Sequence, residues 1–278
     1  MNSASPARLR QPPSAGGEAL HAEWTKLRTL PGMFWLTVAA AALTIAVGAV
    51  AAGAFSCAAR SCSAAVTGAD PAKISLTGLD LGQALVAVLA VLCVGGEYHT
   101  GMIRVTFTAM PRRLLVLAAK AAVVTGLSLA AALAGVLGSV LVGRLLLPPR
   151  GLTAANGYVV LSLGNGADLR AAFGSVLYLV LIALLALGVT AAVRDSGVAI
   201  GVVLGLLFLF PILTAVIPDH TLARHLEQAS PMIAGQYIEA TVGVRSLPLT
   251  PWQGLGILAL WALGALLVGA AVLRSRDA

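Results

Sequence analysis

Glu97, His99, Arg104, Arg112 and Arg113 fall within one stretch, GGEYHTGMIRVTFTAMPRR, that runs from Gly95 to Arg113 between two long apolar runs. A carboxylate placed just after a glycine pair can cap the first turn of a following helix, or pair with Arg104 or Arg112. The known catalytic spacings are absent from the sequence. No G-x-x-x-x-G-K-[ST] phosphate loop occurs, and none of Lys26, Lys73 and Lys120 follows a glycine. There is no G-x-S-x-G nucleophile turn and no H-E-x-x-H zinc motif. His220 and His225 lie five apart on a polar segment and read as exposed. The sequence therefore points to no enzyme active site, no bound cofactor and no metal. Cys57 and Cys62 lie in SCAARSC; their spacing permits a small disulfide on an oxidising side and equally permits two free thiols. Cys93 sits in an apolar run as a small filler.

The elements that must carry these residues follow from composition. Hydrophobic residues make up 59% of the 278 positions and charged residues only 10%, with mean hydropathy +0.93. A soluble domain carries about 25% charged residues, so the solvent this chain suits is a bilayer. Six apolar runs are long enough to span about 30 Å of hydrocarbon at about 1.5 Å per residue. They cover approximately 34–55, 76–95, 120–143, 171–193, 198–217 and 252–273. The expected fold is an all-α polytopic membrane protein with one transmembrane domain over 18–278, preceded by a disordered basic tail at 1–17. That opening contains Pro6, Pro12 and Pro13 with no short apolar core, which argues against a signal peptide.

An even number of spans puts both termini on one side. With that side inside, the inner segments hold Arg8, Arg10, Lys26, Arg28, Arg104, Arg112, Arg113, Lys120, Arg194, Arg274 and Arg276, which is 11 of the 18 basic residues. The outer segments hold the other 7. The bias favours N-in, C-in. The net charge of +7 is thus a property of membrane flanks, and nucleic acid is not an expected partner.

Before the first span, GEALHAEWTKLRTLPG places Leu20, Trp24 and Leu27 on one stripe. This reads as an amphipathic helix lying in the inner interface or packed on the protein's own inner face. On the outer side, 144–170 reads as a folded loop, with paired prolines and a glycine-rich end. DHTLARHLEQ reads as a short helix capped by Asp219 or Thr221 and stopped by Pro231. MIAGQYIEATVGV reads as a second helix, too short and polar to span, that lies on the membrane or dips into it.

The spans hold few ionisable groups. Thr44, Thr125, Ser128, Ser139, Thr190 and Thr214 are expected to bond carbonyls of their own helices, which gives an ion gradient no evident handle. Gly201 and Gly205 allow another helix to approach, whether from the same chain or from a second copy, and Pro211 should kink that run. The inner segment after the second span interleaves Met102, Ile103, Val105 and Phe107 with charge, as a docking surface for a soluble partner does.

The order EWTKLRTLPGMFW, six spans and GGEYHTGMIRVTFTAMPRRLLVLAAK resembles the membrane subunits of ABC-type export systems, the "type two" permeases common in high-GC Gram-positive bacteria. The string GEY-x-TG-x-IR-x-T…PRR is its most specific part, and the resemblance covers nearly the whole chain. It implies a plasma-membrane permease, paired as a homo- or heterodimer, that docks a separate ATPase holding the ATP and Mg. Under this resemblance EWTKLRTL is the interfacial connecting helix. Glu97, Thr100, Gly101, Ile103, Arg104, Phe107 and Pro111 belong to the coupling helix and its hinge, and 219–242 is the outer helical hairpin. SPMIAGQYI matches the family's outer-hairpin pattern only loosely, which puts the external gate in doubt. An anchor or sensor that binds a cytoplasmic partner without moving a substrate is the alternative reading.

Overall fold

The computed structural model describes residues 31–55, 68–99 and 113–275. Among them there are helices and turns but no strands. Six helices are long and apolar enough to cross a membrane, so the chain is an all-α polytopic membrane protein. Helix α1 is Pro31–Ala54. The second crossing is broken, with α2 at Pro71–Leu76 and α3 at Leu79–His99. Helix α4 is Arg113–Leu146, α5 is Gly166–Val193 and α6 is Ser196–Val216. Two short helices follow, α7 at His220–Ala229 and α8 at Pro231–Gln236, and α9 is Pro251–Ser275.

Contacts near the helix ends define two poles. At the terminal pole Cys93 meets Met33 across α3 and α1, a β-carbon at Gly95 would strike Ser196, and the Arg194 guanidinium donates to the Val272 carbonyl at 3.0 Å. The turn between α5 and α6 is very tight. Arg194 takes a left-handed φ of 64° and Asp195 caps α6 by accepting from the Val198 N–H at 2.8 Å. The far pole carries the loops 147–165 and 217–250.

Helix α5 is the central post, with most of its length buried against α3, α4, α6 and α9. Tyr178, Leu179, Ile182, Leu185 and Leu187 on it are fully buried. Helices α1, α6 and α9 present mostly open apolar faces. Small residues let helices approach almost to backbone contact. A β-carbon at Gly78 would lie 1.8 Å from the Thr44 carbonyl oxygen, and one at Gly188 would lie 2.5 Å from the backbone of Ala265 and Leu266.

The span hydroxyls behave mainly as expected. Thr44, Ser128, Thr190 and Thr214 each donate to a carbonyl three or four residues earlier in their own helix. Ser139 differs: it donates across helices to the Thr44 carbonyl at 3.3 Å. At the far pole 147–165 is a folded loop with 3-10 turns at Pro148–Arg150 and Ala154–Asn156. Leu147, Leu152 and Tyr158 bury themselves there with Ala52 in a small second apolar cluster.

The hairpin after α6 departs from expectation in one respect. Asp219 does cap α7, accepting from the Thr221 and Leu222 N–H groups, but Ser230 ends that helix and Pro231 opens the next one. The second helix is shorter than the apolar pattern suggests. It stops at Gln236, makes one 3-10 turn over Tyr237–Glu239 and turns outward at Ala240. The N–H groups of Thr241 and Val242, which would continue a helix, are taken by Asp70 instead.

Candidate functional site

The described residues that gather polar chemistry lie at the far pole, where α8 and its 3-10 turn wedge between α5 and α9. Three glycines make the seat. A β-carbon on Gly174 of α5 would lie 1.9 Å from Ile238, one on Gly235 would lie 2.7 Å from the Tyr178 ring, and one on Gly254 of α9 would lie 2.0 Å from the Ala234 carbonyl oxygen. Tyr178 is twelve residues inside the start of α5, so the wedge reaches about 18 Å below that end at about 1.5 Å per residue. The segment therefore dips into the helix bundle.

Asp70 clamps the outer end of the wedge. Asp-Pro is an N-cap followed by Pro at the first helical position, and the Asp70 carboxylate accepts from the Ala72 and Lys73 N–H groups at 3.0 and 3.2 Å. The same carboxylate accepts from the Thr241 N–H, from the Thr241 hydroxyl at 2.7 Å and from the Val242 N–H at 2.9 Å. One side chain thus closes α2 and pins the hairpin to it. Opposite, the Arg170 guanidinium donates to the Ala240 carbonyl.

Deeper in, Gln236 donates to Asp80 at 2.6 Å. The Tyr178 hydroxyl donates to the Gln83 side-chain oxygen, and the Gln83 amide donates to the Asp80 carbonyl at 3.1 Å. Gln83 and Tyr178 are both fully buried. Glu239 is only 4% exposed, and its Oε1 has no hydrogen-bond partner among the described residues. Burial first, then the negative charge of Asp80, pushes its pKa well above the ordinary carboxylate range. Tyr237 donates to Glu227 at 3.4 Å, and burial together with that carboxylate raises its pKa to about 12. Asp168 begins α5 and accepts from the Ser162 N–H at 2.9 Å, which ties the 147–165 loop to the same pole.

Several residues singled out in the sequence lie outside the described residues: Leu20, Trp24 and Leu27, Cys57 and Cys62, and Thr100, Gly101, Ile103, Arg104, Phe107 and Pro111. The backbone of Glu97 belongs to the last turn of α3. Gly201 and Gly205 face open space, since a β-carbon at either would meet nothing within 4 Å. Helix α6 runs on through Pro211 to Val216. His220 and His225 are exposed, and no three His, Cys, Asp or Glu side chains gather in a metal-holding arrangement among the described residues. Gly205 also lines an apolar groove of about 950 Å³ between α5, α6 and α9, with Leu185, Val202, Leu209 and Trp261.

The polar wedge was not read from the sequence as a site. Its signals were Asp70 directly before Pro71 and a lone carboxylate, Glu239, in an apolar stretch. No protein-family model matches this chain, and no curated protein matches it.

Proposed function

We propose that the chain is the membrane-spanning permease subunit of an ATP-driven export system in the cell membrane. It forms the translocation pathway together with a second permease copy, and a separate cytoplasmic ATPase supplies the power. The observation that carries this reading is the string from Gly95 to Arg113. It joins the second and third crossings at the pole shared with both ends of the bundle, and it interleaves Ile103 and Phe107 with Glu97 and Arg104. Apolar anchors among charges suit insertion into a groove on a soluble partner. The sequence has no phosphate loop of its own, so uphill transport needs such a partner. The open faces around Gly201 and Gly205 suit a second copy packed on α6.

The test is purification of the tagged full-length chain from its native membrane in mild detergent. The reading expects a phosphate-loop ATPase to co-purify in stoichiometric amount and to hydrolyse ATP. A soluble partner without nucleotide-binding residues, or with no hydrolysis, would favour the membrane anchor or sensor.

A further inference from the structure

Glu239 is an acid in a place built without room for its charge. Its carboxyl is buried with one oxygen unpartnered among the described residues, and the segment that carries it presses on Gly174 through Ile238 and on Gly254 through Ala234, so water reaches the carboxylate only if the segment moves. Every element packed against the turn is accounted for. Helix α2 contributes Asp70 at its cap and Lys73, α3 contributes Asp80, and α5 contributes Asp168, Arg170 and Tyr178. Helix α8 has no ionisable side chain, and the described charge of α9 is Arg274 at the opposite pole. Beside the turn, Tyr237 engages Glu227 of α7. The two carboxylates, Asp80 and Asp70, disfavour a charge on Glu239, whereas Lys73, which is exposed, favours it. A second buried polar atom, the Ser175 hydroxyl beside Gly174 on α5, also lacks a partner among the described residues.

We propose that Glu239 is a proton-binding site: the seated wedge holds it as a neutral carboxylic acid, and loss of that proton to solvent at the far pole frees residues 232–240 from between α5 and α9. In that step the carboxyl O–H bond breaks, water takes the proton, and the electron pair stays on the carboxylate. The sign follows from the raised pKa of the seated state. The stabilisation is complete below the ordinary carboxylate pKa of about 4.3 and declines as pH rises towards the raised value. The Asp70 clamp on Thr241 and Val242 remains at the outer end of the wedge while the Gln236–Asp80 bond is released, so the device is a hinged latch and not a general unfolding. It operates however the protein is energised.

The test is hydrogen exchange of the 232–240 amides in the full-length chain, embedded in lipid nanodiscs, from about pH 4.5 to about pH 9.5. Dividing wild-type rates by those of Glu239→Gln at each pH removes the intrinsic pH dependence of exchange. The ratio is expected near one at the acid end, to rise about tenfold per pH unit, and to level off past the raised pKa. Lys73→Met removes a cation that favours the carboxylate and moves the levelling-off point to higher pH. Lys73 is exposed, so if Glu239→Gln misfolds the rates of Lys73→Met and of wild type are each divided by the intrinsic rates of the unstructured chain, and the same shift between the two decides the question. Infrared difference spectra over the same range should lose a protonated-carboxyl band in wild type that Glu239→Gln never shows. A flat ratio, or a levelling-off point unmoved by Lys73→Met, overturns the proposal.

Discussion

At the residue scale the far pole turns on Asp70. Its two carboxylate oxygens serve the cap of α2 and three donors on Thr241 and Val242. Asp70→Ala removes the cap and strands those donors. Water reaches the exposed Val242 and recovers part of the loss, so the expected cost is about 2–4 kcal/mol. Asp70→Asn keeps one acceptor oxygen and should lose about half as much. Thermal unfolding in detergent reads both, and equal stability of Asp70→Ala and wild type would remove the clamp from this account. Asp70 shows how little of the site was legible. The dipeptide Asp70-Pro71 announces a helix start, but nothing local says that the same carboxylate reaches Thr241, some 170 positions away. Glu239 left its segment's depth open. The charge left open whether the segment lies on the membrane or dips into it, and a buried carboxyl group settles it on the side of entry into the bundle.

At the element scale the six crossings were legible because each is a long apolar run, and chain length fixes what can span a bilayer. The breaks inside elements were not legible, because they answer to tertiary contacts. The second crossing bends at Thr77–Gly78 where Gly78 presses on the Thr44 backbone. Past Ala240 the chain does not resume a helix, because Asp70 takes the N–H groups of Thr241 and Val242. Glycines show the same split. Gly201 and Gly205 stand out in sequence and touch nothing in the chain, whereas Gly174, Gly235 and Gly254 are unremarked in sequence and seat the wedge. A pair of substitutions on α9 separates the two kinds. Gly254→Ala forces a β-carbon onto the Ala234 carbonyl and should cost about 1–3 kcal/mol. Gly256→Ala, two residues along the same helix, meets nothing within 4 Å and should be neutral or stabilising by up to about 1 kcal/mol. Matching melting temperatures for the two variants would show that the wedge is not tightly seated.

At the scale of the whole molecule, the bundle has two chemically different poles: a far pole where loops and a wedge are locked by buried polar contacts, and a terminal pole where the Gly95–Arg113 string joins two crossings. The basic-residue bias of the sequence predicts that the terminal pole faces inward. Single cysteines at Thr100 and at Ala155, in a background lacking Cys57, Cys62 and Cys93, test this with a membrane-impermeant thiol reagent. Position 155, exposed on the far-pole loop, should label from outside intact cells and position 100 should not; the reverse pattern would invert the topology. Power delivered through the terminal pole is the central claim, and co-purification of the ATPase with Ile103→Asp and Phe107→Asp tests it most directly. A carboxylate at either position places a charge in an apolar groove and should abolish ATPase binding while the chain still inserts and folds. Undiminished binding of the ATPase by both variants would contradict the claim and move the docking site elsewhere, first to the segment around Trp24.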